Sequence, residues 1–157
     1  MAQNLIPAKR PRLAVVGTVY RKYSHLQNIL DRLLEGYGWG GAYSHPPMDV
    51  VSLYVDQHVP DDITQDRLDR YPLMKRYATI AEALTCGTGK LAVDGVVLVG
   101  EHGDYPKTPK GQVQYPRYQF FEQIVQVFRS SGRSVPLFSD KHLSWNWEWA
   151  RKMYDTS

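Results

Sequence analysis

"VDGVVLVG", residues 93–100, decides the fold. From Val96 to Val99 the run is β-branched or aliphatic throughout, with glycine at each end and no polar residue at alternate positions. A strand of that kind is covered on both faces and belongs inside a parallel sheet. Working outward, "LAVVG" (13–17) and "VVSLYVD" (50–56) read as two further buried strands, "SVPLFSD" (134–140) as a fifth, and "KRYAT" (75–79) as a weaker one.

Helical spacing separates these strands. Leu26, Ile29, Leu30, Leu33 and Leu34 fall on one stripe behind a capping Ser24. "TIAEAL" (79–84) carries a capping box, Thr79 with Glu82. Phe121, Ile124, Val125 and Phe128 share a helix face that stops at Gly132, and Ser144 is expected to cap a last helix over "WNWEWARKMY". A polar stretch after Asp56 is expected to hold a short helix, and "GYGWGGAYSHPP" (36–47) breaks the first one. Strand and helix in alternation predict an α/β three-layer sandwich with a mostly parallel sheet of about five or six strands.

At 157 residues the chain is sized for one domain, expected over 12–157 behind a flexible basic tail at 1–11. No stretch approaches the roughly 18 apolar residues of a membrane span, so no membrane partner is expected. The opening "MAQNLIPAKRPR" has no apolar core of a secretory signal. Cys86 is the single cysteine, which excludes an internal disulfide and fits a reducing, cytoplasmic setting. A net charge of +3 is too small to point to nucleic acid.

In such sheets, ligands bind beyond the carboxyl ends of the strands. Four turns meet there: Gly17–His25, Asp56–Asp61, Gly100–Tyr105 and Asp140–Ser144. Adjacent fourth and fifth strands would set His102 and Asp104 opposite Asp140 and His142, nitrogen and oxygen ligands of a type that suits a transition metal, with Glu101 in reserve. Neither spacing is a metal signature, and no metal is expected. His25 reads as a residue of the capping region, and His45 and His58 as surface histidines. Tyr105, Tyr115 and Tyr118 flank the long loop, either to close over a ligand or to anchor it. On the last helix Trp145 and Trp149 share a face.

"LAVVGTVYRKYSH", "SLYVD", "YATIAEAL…VDGVVLVG" and "FRSSGRSVPLFSDKHLS" together resemble the N-terminal domain of the glucose–fructose oxidoreductase/inositol dehydrogenase family, over most of residues 12–154. The resemblance implies a Rossmann-like domain that binds NAD or NADP. Gly17, Thr18, Val19 and Arg21 would lie at the phosphates, Asp56 at the adenosine ribose, and Gly100, Glu101 and His102 along the cofactor. Lys141 aligns with a lysine that the family places near nicotinamide and substrate, with His142 beside it, and these two are the candidate catalytic residues. Asp56 implies NAD over NADP, whereas Arg21 would suit the extra phosphate.

The chain departs from the family's pattern at defined places. Gly17 is followed by Thr18, Val19, Tyr20 and Arg21 where further glycines would admit a pyrophosphate, and Asp140 and His142 flank the lysine in place of glutamate and proline. The chain ends soon after Lys141, so the expectation is a domain of oxidoreductase type without its substrate domain, not catalytic by itself. The alternative is a binding or oligomerisation module that has lost the dinucleotide. A small-molecule substrate and a homo-oligomer complete the partners considered.

Overall fold

The computed structural model describes residues 9–157. Strands β1 (Arg12–Gly17), β4 (Asp49–Val55), β5 (Lys75–Arg76), β6 (Gly95–Val99) and β7 (Leu137–Ser139) form one sheet in the order β5-β4-β1-β6-β7. Every pairing in it is parallel. The order runs outward from β1 in both directions, so the connection reverses between β1 and β6. This is the doubly wound, Rossmann-like arrangement, with its switch point between those two strands.

Alternating residues feed two cores. Ala14 and Val16 of β1, with Val96 and Leu98 of β6, pack against α3 (Ile80–Thr85), α4 (Arg117–Ser131) and Met153 of α5 (Trp147–Thr156). Val15, Val97 and Val99 face the other way, against Leu26 and Leu30 of α1 (His25–Glu35), with Leu68 of α2 (Thr64–Arg70) at the edge. All five residues of β6 are buried, as an apolar run without alternation requires. Fully burying a side chain such as Leu26 or Leu30 contributes about 1.5–3 kcal/mol, so the α1 stripe fixes that helix to the sheet.

Local signals set the boundaries. Ser24 caps α1 by accepting from the Gln27 N–H, the Thr79/Glu82 capping box starts α3, and Gly132 closes α4 with a φ of 62°. Two expectations are corrected. Asn146, not Ser144, caps α5, because its side chain accepts from the Trp149 N–H while Ser144 Oγ accepts from the Asn146 N–H. Residues 36–47 do more than break a helix: Tyr37–Trp39 (β2) and Ala42–Ser44 (β3) pair as an antiparallel hairpin. Its turn is Gly40-Gly41, both at positive φ (58° and 81°), as a tight hairpin turn demands.

Residues 1–8 of the expected basic tail lie outside the described residues. Arg10 is held in place: its guanidinium pairs with Asp49 at 2.7 Å and donates to the carbonyls of Pro46 and Met48. Among the described residues, no helix is long and apolar enough to cross a membrane.

Candidate functional site

The carboxyl ends of β1, β4, β6 and β7 form one rim, and the chain's own side chains fill much of it. After Gly17, Thr18, Val19 and Tyr20 are each fully buried. Thr18 Oγ1 donates to the Glu101 carbonyl at 2.5 Å, and the Gln57 N–H donates to the Thr18 carbonyl at 2.8 Å. The turn is thereby sewn to both neighbouring strand ends. A methyl group at Gly17 would overlap Leu26, so this glycine serves the close approach of α1 to the sheet. The Arg21 backbone forms an isolated antiparallel β-bridge with that of Asp62, and the Arg21 guanidinium lies 3.9 Å from the Asp61 carboxylate.

Tyr20 is locked from below. Its hydroxyl donates to Asp31 at 2.6 Å, and Arg67 donates to both oxygens of the same carboxylate, at 3.0 and 2.6 Å. Burial together with Asp31 pushes the Tyr20 phenol far above its usual range. Asp31 moves the other way. Burial alone would raise it, but the bonds from Arg67, Tyr20 and Gln27 outweigh that and hold it below the usual carboxylate value.

Asp56 stands at the end of β4 as expected, but both of its oxygens are engaged. The Tyr54 and Tyr105 hydroxyls each donate to it at 2.7 Å. Tyr105 also packs edge-on against Tyr115, 5.8 Å between ring centres, so this pair ties the long loop to β4.

Gly100, Glu101 and His102 lead away from β6. A Cβ at Gly100 would lie 2.6 Å from Cγ of Arg117, whose side chain is wholly buried at the start of α4. Arg117 pairs with Glu101, lies over the Tyr115 ring at 5.3 Å and approaches His142 Nε2 at 3.5 Å. A guanidinium only donates, so His142 Nε2 is the acceptor in this contact. Burial, then Arg117, draws the His142 pKa down. Arg117 Nε has no acceptor among the described residues.

Lys141, a candidate catalytic residue, is exposed and stands outside the hydrogen bonds and ion pairs of the rim. Because α5 starts at Trp147, Lys141 is not in its first turn, and the helix dipole does not bear on it.

The four-residue set His102, Asp104, Asp140 and His142 does not assemble. Asp104 is drawn off by Gln57, which bonds to its N–H and its carbonyl at 2.8 and 3.0 Å. His142 goes to Arg117. Asp140 instead takes His25, with Nδ1 2.8 Å from Oδ2. Among the described residues, no three His, Cys, Asp or Glu side chains converge to hold a metal ion.

His25 is the residue that sequence reasoning passed over. Its ring lies 5.1 Å from that of His102, and its backbone N–H points to His102 Nδ1 at 3.4 Å. No motif announces the pair, because 77 residues separate the two histidines and only the β1–β6 pairing unites them. His58 and His45 also have partners: Asp62 at 2.6 Å for the first, and the edge of the Tyr43 ring for the second.

Backbone strain gathers at the same place. Tyr23, His102 and Lys141 hold φ of 64°, 68° and 67°, in the left-handed region that non-glycine residues seldom occupy. Comparison with protein-family models, curated proteins and solved structures returns no match to this chain.

Proposed function

We propose that this chain is a Rossmann-like domain, related in type to oxidoreductase cofactor domains, that binds a small polar molecule on the rim between β1, β6 and β7. It does not hold a dinucleotide in the usual manner. One observation carries this reading: the chain's own side chains take both footholds of a dinucleotide. Thr18, Val19 and Tyr20 fill the first turn, and Tyr54 and Tyr105 satisfy Asp56. The polar groups still available for a ligand cluster beside the switch point, at His25, His102 and Asp140.

A second reading keeps NAD or NADP as cofactor, with Asp56 on the ribose and Lys141 near the reacting carbon. The strand order and the place of Asp56 at the end of the second sheet strand favour it. It requires Asp56 to trade two phenol hydroxyls for two ribose hydroxyls, and the first turn to open.

Calorimetric titration with NAD⁺, NADH, NADP⁺ and NADPH separates the two, with Asp56→Ala as control. The rim reading expects no saturable binding up to about 1 mM, a free energy of about 4 kcal/mol. It also expects small hydroxylated carbonyl compounds to shift the ring signals of His25 and His102 in NMR spectra. Micromolar binding of any dinucleotide, weakened by Asp56→Ala, would reinstate the cofactor reading.

A further inference from the structure

We infer that His25 and His102 form a base and a neutral hydrogen-bond donor set side by side, an arrangement for enolising a small hydroxy-carbonyl compound. The inference rests on the rim reading above and gives that rim a substrate class.

The partners of the two rings assign their protons. Asp140 is an acceptor, and its contact with His25 Nδ1 at 2.8 Å puts a proton on that nitrogen. In the neutral ring Nε2 then carries the lone pair, the form of a general base. A backbone N–H can only donate, so the His25 N–H directed at His102 Nδ1 makes that nitrogen an acceptor. His102 is therefore neutral, with its proton on Nε2. It sits against the first residue of α1, where the helix presents positive partial charge that disfavours an imidazolium. Burial, the neighbouring His25 and Arg21 draw its pKa down in the same direction, against Glu101.

One ring thus offers a lone pair and the other an N–H, with ring centres 5.1 Å apart. A C–H bond next to a carbonyl is the unit that uses both. The proton passes from carbon to His25 Nε2, and the C–H electron pair becomes the C=C bond. The carbonyl π pair moves onto oxygen, which the His102 N–H stabilises as charge develops. Return of the proton to the same carbon restores the starting compound. Its return to the former carbonyl carbon gives the isomer once the hydroxyl proton has passed to the enolate oxygen, and no electron acceptor is required. The single cysteine, Cys86, lies at the end of α3 with its sulfur facing Arg12 and brings no thiol to the rim. Asp140 is a positioning residue in this scheme, holding His25 in the required tautomer.

Two measurements on the ¹⁵N-labelled chain test the inference. Long-range ¹H–¹⁵N spectra resolve five histidine rings, assigned by single substitutions. The expected pattern is Nδ1–H for His25 and Nε2–H for His102, with Asp140→Ala releasing His25 to the Nε2–H form that a free histidine side chain prefers. The second measurement follows C–H exchange of glycolaldehyde and dihydroxyacetone in D₂O. Exchange above the solvent rate should fall by about 10²–10⁴-fold in His25→Gln, the range of a general base, and also fall in His102→Phe.

The reverse tautomers, or exchange unchanged by His25→Gln, would overturn the proposal. If neither probe exchanges while both still shift the His25 and His102 signals, enolisation is overturned and the rim-binding reading stands. If neither probe shifts those signals, both are overturned.

Discussion

Removing the Asp31 carboxylate tests whether the closed first turn is a locked feature of the fold. Asp31 receives Tyr20, Arg67 and Gln27, and the Asp31 and Arg67 side chains are only 14% and 11% exposed. Breaking one side of a buried pair costs about 3–5 kcal/mol, because the other charge is left without a counterion. Arg67 also reaches the exposed Asp66, which softens that loss. The expected cost of Asp31→Ala is therefore at the low end, about 3 kcal/mol. For a chain of this size that lowers Tm by roughly 6–12 °C. Tyr20→Phe removes one hydrogen bond to a charged acceptor and should cost about 1.5–3 kcal/mol.

Urea unfolding of the two single variants and the double variant measures both costs and their coupling. The acid limb gives a further check. Asp31 binds its proton less readily in the folded chain than in the unfolded one. Its contribution is complete above about pH 4, the unfolded carboxylate value, and is lost as pH falls through the lower folded value. Asp31→Asn should flatten that limb. A loss below about 1 kcal/mol in Asp31→Ala, the scale of an exposed ion pair, would refute the reasoning and free the first turn from this lock.

Three other outcomes are expected. Gly100→Ala drives a methyl to 2.6 Å from Cγ of the buried Arg117 and should cost about 1–3 kcal/mol in thermal or urea unfolding; a neutral result would mean that α4 shifts freely. Asp56→Asn should bring the Tyr54 and Tyr105 phenols down in an ultraviolet pH titration, since both are raised by burial and then by Asp56. An unchanged titration would remove Asp56 from that cluster. His102 carries a depressed pKa, burial being the first cause, so its contribution to stability is complete above about pH 6.5 and is lost as pH falls through its lower folded value. His102→Gln should weaken the fall in unfolding free energy between pH 7.5 and 5.5, and an unaltered fall would assign it to other groups.

The scaffold was legible where local chemistry is strong. The both-face burial of β6, the α1 stripe, the Thr79/Glu82 box and the Gly132 stop all read directly from residue type and spacing. The α5 start was misread because Ser144 and Asn146 are both good caps two residues apart, and only the three-dimensional path selects Asn146. The hairpin was passed over because its strands are short and fully exposed, which leaves Gly40-Gly41 as the sole signal. The rim was legible as a place but not as a set of pairs. Asp140 has Lys141 and His142 beside it in sequence, yet its partner is His25, brought in by the helix that follows β1. Pairings of that kind depend on strand order, which no local pattern encodes.

The contact between Gly17 and Leu26 also bears on what opening the first turn would cost. This glycine admits a leucine of α1, so a glycine at this turn does not by itself signal a phosphate site. Reopening the turn would mean replacing Val19 and Tyr20, both wholly buried, with glycine. Large-to-small changes at buried sites cost about 2–5 kcal/mol each, and a domain of ordinary stability has only about 5–15 kcal/mol in all. The two changes together would cost about 4–10 kcal/mol, much of that total. The filled first turn is therefore costly to open: each side chain removed from it takes away packing on which the fold depends.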